Sequence, residues 1–80
     1  MVMTITTLAE IKMGERAIVQ ELLTKGEMRR RLLDIGLVKN APVCCLGKSP
    51  CGDPRAYLIC GAVVAVRQAD ASGVLVRVDA

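Results

Sequence analysis

Eighty residues carry eleven Lys and Arg against eight Asp and Glu, a net charge of +3, and include no Phe, Trp or His. That length allows one small domain, residues 1–80, with a thin core built from Val, Ile, Leu, Met and Ala. The mild positive balance falls short of the basic stripe of a dedicated nucleic-acid domain, so no nucleic acid is expected as a partner.

The N-terminal stretch MVMTITTLAEIKMGE lacks both a basic start and an unbroken apolar core, so it does not read as a signal peptide. The longest apolar run, Ala56 to Val66, falls short of the ~20 residues of a membrane helix, and no direct membrane insertion is expected. The expectation is a cytoplasmic protein whose four cysteines, Cys44, Cys45, Cys51 and Cys60, are reduced. Thr7 with Glu10 has the spacing of a capping box that opens one short turn, which Met13 and Gly14 end. ERAIVQELL, from Glu15, reads as the first strand, with β-branched Ile18 and Val19.

EMRRRLLDIGL, Glu27 to Leu37, is an amphipathic helix. Met28, Leu32 and Ile35 form its apolar stripe, while Arg30 with Asp34 and Glu27 with Arg31 are acid–base pairs at helical spacing. Arg29 projects between Leu32 and Leu33 with no acid nearby, which makes Arg29 and Leu33 a candidate contact edge. Gly36 suits the left-handed position after the helix, and Leu37 can fold back onto Leu32. The triple arginine is otherwise a solvated face.

Beyond the helix the chain turns to strands. APVCCLG follows the turn VKNA, KSPCGDP is a loop, RAYLIC runs back, and Gly61 marks a bulge or sharp corner before AVVAVR. QADAS is a short turn, and GVLVRV places Val74, Val76 and Val78 inward against Arg77. The expected class is mainly β with one or two short helices: five short strands curled into a small antiparallel barrel.

RRRLLDIGL, SPCGDPRAY and VVAVRQADASGVLV, in that order, resemble the ferrous iron transport protein A (FeoA) family over roughly Leu8 to Val78. The resemblance implies an SH3-like β-barrel and a cytoplasmic accessory role beside FeoB, the membrane ferrous-iron transporter with a GTP-binding domain. A similar module ends the metal-dependent repressors of the DtxR type, so a regulatory module of metal-dependent transcription is the alternative. The family usually has Pro-Gly where this chain has Lys39-Asn40, a place where Asn tolerates left-handed backbone. Cys44, Cys45 and Cys51 fall outside the family pattern, and no role passes to them.

The chemistry available is thin. Iron(II) sites draw on imidazole and clustered carboxylates, and neither pattern is present. The cysteine spacing is not a paired C-x-x-C arrangement, no base accompanies a cysteine nucleophile, and no phosphate-cradling motif occurs. The expectation is therefore no metal, no cofactor and no catalytic residue. With Tyr57 as the one aromatic, neither a proline-peptide groove nor a base-stacking platform can be built. What remains is protein–protein contact, through Arg29, Leu33, Gly52, Asp53, Pro54, Arg55 and Tyr57, with self-association as a further option. Reversing the charge of Arg29 or of Arg55 is expected to leave the fold intact and weaken docking.

Overall fold

The computed structural model describes residues 3–79. Its elements are β1 (Met3–Thr7), a 3₁₀ turn (Leu8–Glu10), β2 (Arg16–Leu22), α1 (Gly26–Asp34), β3 (Pro42–Lys48), β4 (Arg55–Ile59), β5 (Ala62–Val66), α2 (Gln68–Ala71) and β6 (Val74–Asp79). All six strands join one antiparallel sheet in the order β1-β6-β2-β3-β4-β5.

The class is as expected, mainly β with two short helices, but the closed barrel is not. β1 pairs only with β6 and β5 only with β4, so both ends of the sheet are edges. The open side is taken up by helices. Met28 and Arg31 of α1, with Ile35 just beyond its end, face Val64–Val66 across a groove of about 440 Å³, where a closing strand would have to lie. The sheet also has six strands rather than five, because Met3–Thr7, absent from the sequence-based strand set, pairs along its whole length with β6.

Two bulges curl the sheet and reset which side chains face inward. In β2, Val19 faces Val76 and Glu21 faces Leu75, so Gln20 is the extra residue. Ala17 and Val19 point into the core before it, and Leu22 rather than Glu21 does so after it. In β3 the shift between Cys45 and Gly47 leaves Leu46 exposed while Val43 and Cys45 are buried. Val74 and Val76 of β6 are buried and Val78 packs against the core, in line with the predicted alternation. Leu8, Ile11, Leu37, Tyr57 and Ile59 complete the interior.

Local signals at turns are realised. Gly36 (φ 105°) donates its N–H to the Leu33 carbonyl at 3.0 Å, and Leu37 donates to the Leu32 carbonyl at 3.0 Å, the doubled closure of a Schellman ending. Leu37 is fully buried and Leu32 nearly so. Asn40 adopts φ 73°, as the left-handed turn residue it was expected to be. Cys60 (φ 50°) and Gly61 (φ 83°) form a two-residue turn that pairs Ile59 with Ala62, the sharp corner expected at Gly61. Thr7 precedes the 3₁₀ turn, but its hydroxyl makes no capping bond and lies buried without a partner.

Gly36 is the least replaceable of these positions. A Cβ there would lie 3.1 Å from both Cys60 Sγ and Ile59 Cγ2, on backbone that L-residues resist. Gly36→Ala is expected to lower stability by about 2–4 kcal/mol, combining left-handed strain with overpacking. A urea midpoint unchanged from wild type would contradict this account.

Candidate interaction surface

The residues singled out for contact divide into those that hold the fold and those that face outward. Tyr57 belongs to the first group. It was expected to make contact with a partner, yet it sits inside β4 on the same face as Ile59, with no solvent exposure. Its hydroxyl donates to the Leu8 carbonyl at 3.1 Å. Burial pushes the phenol's pKa above its ordinary value, with the nearby Arg55 charge acting in the opposite direction.

Arg55, two residues earlier on the same face, is also turned inward. Its Nη1 donates to the Ala9 carbonyl at 2.5 Å and its Nη2 to the Ile11 carbonyl at 2.6 Å, with Cys45 Sγ 3.1 Å from Nη2. The guanidinium carbon lies 5.8 Å from the Tyr57 ring centroid, within cation–π range. Arg55 and Tyr57 together tie the segment Leu8–Ile11 to the sheet. Charge reversal at Arg55 is therefore expected to disrupt folding, in place of the expectation from sequence that it spares the fold.

The loop between β3 and β4 is cross-braced. The Gly52 N–H (φ 87°) donates to the Ser49 carbonyl at 2.8 Å, the Ser49 hydroxyl to the Asp53 carbonyl at 2.8 Å, and the Ser49 N–H to the Pro54 carbonyl at 3.1 Å. Asp53 Oδ1 accepts the Gln68 N–H at 2.9 Å, which anchors the loop to the start of α2. Asp53 thus has a folding role, while Pro54 and Cys51 stand exposed on the loop's outer side.

On α1, Arg29 is exposed and its Nη1 reaches the Leu22 carbonyl at 3.4 Å, a long bond that leaves most of the guanidinium available. Leu33 is half-buried and packs against the core, contributing only its outer edge to the surface. Arg29 and the Pro54 loop are therefore the outward members of the candidate set.

One surface feature escaped the sequence reading. The outer face of the sheet carries a groove of about 640 Å³ whose lining includes Arg16, Ile18, Cys44, Leu58 and Arg77. Arg77 bridges Gln20 Oε1 at 2.8 Å and Asn40 Oδ1 at 3.0 Å along one side of it. The signal was present in the alternation, since each of these residues flanks a buried neighbour on its strand. All four cysteines are free thiols, with Cys45 buried, and among the described residues no three His, Cys, Asp or Glu side chains gather as a metal site. Among those residues, also, no helix is long and apolar enough to cross a membrane.

Comparison with known proteins places this architecture. The FeoA domain model matches residues 6–78. The FeoA protein from Chlorobium tepidum is 36% identical, with a TM-score of 0.86, over 94% of this chain and 71% of that one. FeoA of Stenotrophomonas maltophilia, solved with zinc and described as a procaryotic SH3 domain protein, is 28% identical with a TM-score of 0.79, over 89% of this chain and 88% of that one. A manganese-dependent transcriptional repressor superposes at a TM-score of 0.84, over 99% of this chain and 44% of the repressor, but at 16% identity the likeness is one of fold. No curated protein sequence matches. The single sheet with its helix-filled opening, the Schellman-closed α1 and a family match spanning nearly every described residue lead to one assignment: this chain belongs to the FeoA family, a group of SH3-like domains associated with ferrous iron transport.

Proposed function

We propose that this chain is a non-enzymatic, cytoplasmic accessory factor of ferrous iron uptake. It docks on the GTP-binding region of an FeoB-type membrane transporter and adjusts the transporter's assembly or activity. The observation that carries this reading is the family match over residues 6–78. The site chemistry agrees with it, since the conspicuous polar side chains Arg55 and Tyr57 are committed to backbone carbonyls of the chain itself. Docking then falls to outward groups: Arg29 as the cationic anchor with the rim of Leu33 beside it on α1, and Pro54 on the β3–β4 loop. Arginine suits such a position, because its planar fork can engage a carboxylate through two parallel bonds. The alternative of a module in metal-dependent transcriptional control has only the shared fold behind it.

The test is capture of the detergent-solubilised transporter by the purified chain. Arg29→Glu gives up one long bond to Leu22, so its fold is retained, and it is expected to weaken capture about tenfold, or about 1.4 kcal/mol. Equal capture by wild type and Arg29→Glu removes Arg29 from the interface, and absence of capture by wild type defeats the docking reading itself.

A further inference from the structure

β5 is an edge strand of sequence AVVAV, which α1 faces across a groove without pairing to it, and the strand itself carries none of the devices that usually guard an edge. It holds no charge, proline or bulge between Ala62 and Val66. The two-residue turn at Cys60-Gly61 fixes its hydrogen-bond phase. Ile59 and Ala62 close that turn as a bonded pair, so Ala62, Val64 and Val66 spend their backbone groups on β4. Val63 and Ala65 then direct their N–H and C=O groups to the open side. The Val63 side chain, 68% exposed, is the most exposed large apolar side chain among the described residues. The groove between α1 and Val64–Val66 leaves room along the inner flank of the strand.

We propose that β5 is a self-association edge, on which two copies of this chain pair antiparallel about a two-fold axis through Val64. The strand is its own complement in that register. Val63 then faces the partner's Ala65 and exchanges both backbone bonds with it, the symmetric exchange follows at Ala65, and Ala62 faces the partner's Val66. Each of those pairs sets a small residue against a larger one, and no charge meets another. On the outer face the apolar row Cys44, Leu58 and Val63, aligned by register across β3, β4 and β5, continues into the partner's Ala65. An acidic or basic strand would find no counter-charge on β5, which favours a second copy as the occupant. β1, the other edge, carries the polar side chains of Thr4 and Thr6 between its apolar ones.

Sedimentation velocity of the full chain, in reductant because Cys51 and Cys60 are exposed thiols, tests the pairing from micromolar to millimolar concentration. The wild type is expected to shift from monomer to dimer. Ala65 occupies a non-bonded pair with Ala56, so Ala65→Pro removes only the outward N–H and costs the monomer no ladder bond. It is expected to weaken dimerisation at least about tenfold with an unchanged circular dichroism spectrum. Val63→Lys, which alters only a side chain, gives the same loss should the proline disturb the strand, while Ile5→Lys on β1 leaves the dimer intact. A wild type monomeric throughout, or a dimer that survives both β5 variants, overturns the pairing. So does loss caused by Ile5→Lys alone, or growth beyond a dimer, which signals open β5-to-β1 contacts. The pairing stands apart from transporter docking, since each is read out in the absence of the other.

Discussion

Arg55→Met is expected to lower the unfolding free energy by about 3–4 kcal/mol, the sum of two hydrogen bonds from a charged donor. The wild-type guanidinium satisfies the carbonyls of Ala9 and Ile11 from one side chain, and both bonds are short. Methionine retains the apolar stem and much of the volume but leaves both carbonyls without a donor. The segment from Leu8 to Ile11 contributes two of the most deeply buried aliphatic side chains, so releasing its backbone loosens the core as well. A domain of this size has a total stability of about 4–12 kcal/mol, and the variant is expected to be largely unfolded at the low end of that range. Arg55→Lys separates charge from geometry. An ammonium can reach one carbonyl at a time but cannot fork to two, so about half the loss should return. Urea unfolding of the three proteins decides it. A loss below about 1 kcal/mol for methionine would mean that the contact is no better than an exposed one.

The parts of this fold that were legible in the sequence are those fixed by neighbours along the chain. The helix at Glu27–Asp34 and its ending at Gly36-Leu37 are readable because a Schellman closure needs only residues within six positions. The Asn40 turn and the corner at Gly61 are local in the same sense. β1 was not legible, because the five residues MTITT become a strand only by pairing with β6 at the far end of the chain. The bulges at Gln20 and Leu46 each add one residue that no side chain announces, and with them the parity of Leu22 changes. Closure was overestimated for a related reason. Alternation identifies strands but not whether the first and last of them meet, and here α1 faces β5 across a groove where a closing strand would lie. The candidate site shows the same divide. Arg29 was correctly placed outward by helical geometry. Arg55 and Tyr57 were not correctly placed, because their partners are carbonyls 44 to 49 residues away. One clue was available: Tyr57 shares its parity with Ile59, the inward side of β4.

Tyr57→Ala is expected to cost about 3–5 kcal/mol, the usual penalty for truncating a buried aromatic, since nothing else in this core has a ring to fill the space. Tyr57→Phe isolates the hydroxyl and is expected to cost about 1 kcal/mol at neutral pH, because the Leu8 carbonyl loses its donor. That difference should depend on pH in a definite direction. Burial raises the folded-state pKa of the phenol above the 10.0 of an unperturbed tyrosine, so between those two values the folded protein holds a proton that the unfolded chain has released. The hydroxyl's contribution is complete below about pH 10 and declines as the pH climbs through the folded-state pKa. Every other group is common to both proteins and cancels in the comparison. Stability measured side by side should show the tyrosine protein losing its advantage over the phenylalanine variant as the pH rises above about 10, because the unfolded chain gains a phenolate there that the folded state resists. A gap that stays constant into strong alkali would place the phenol in water and break its link to Leu8. The same cluster explains why Arg55 and Tyr57 are poor ground for docking mutations: both are already engaged with the chain's own first turn. Changes there are expected to register as loss of fold before loss of a partner, whereas Arg29, exposed and held by one long bond, is where the proposed contact can be tested with the fold retained.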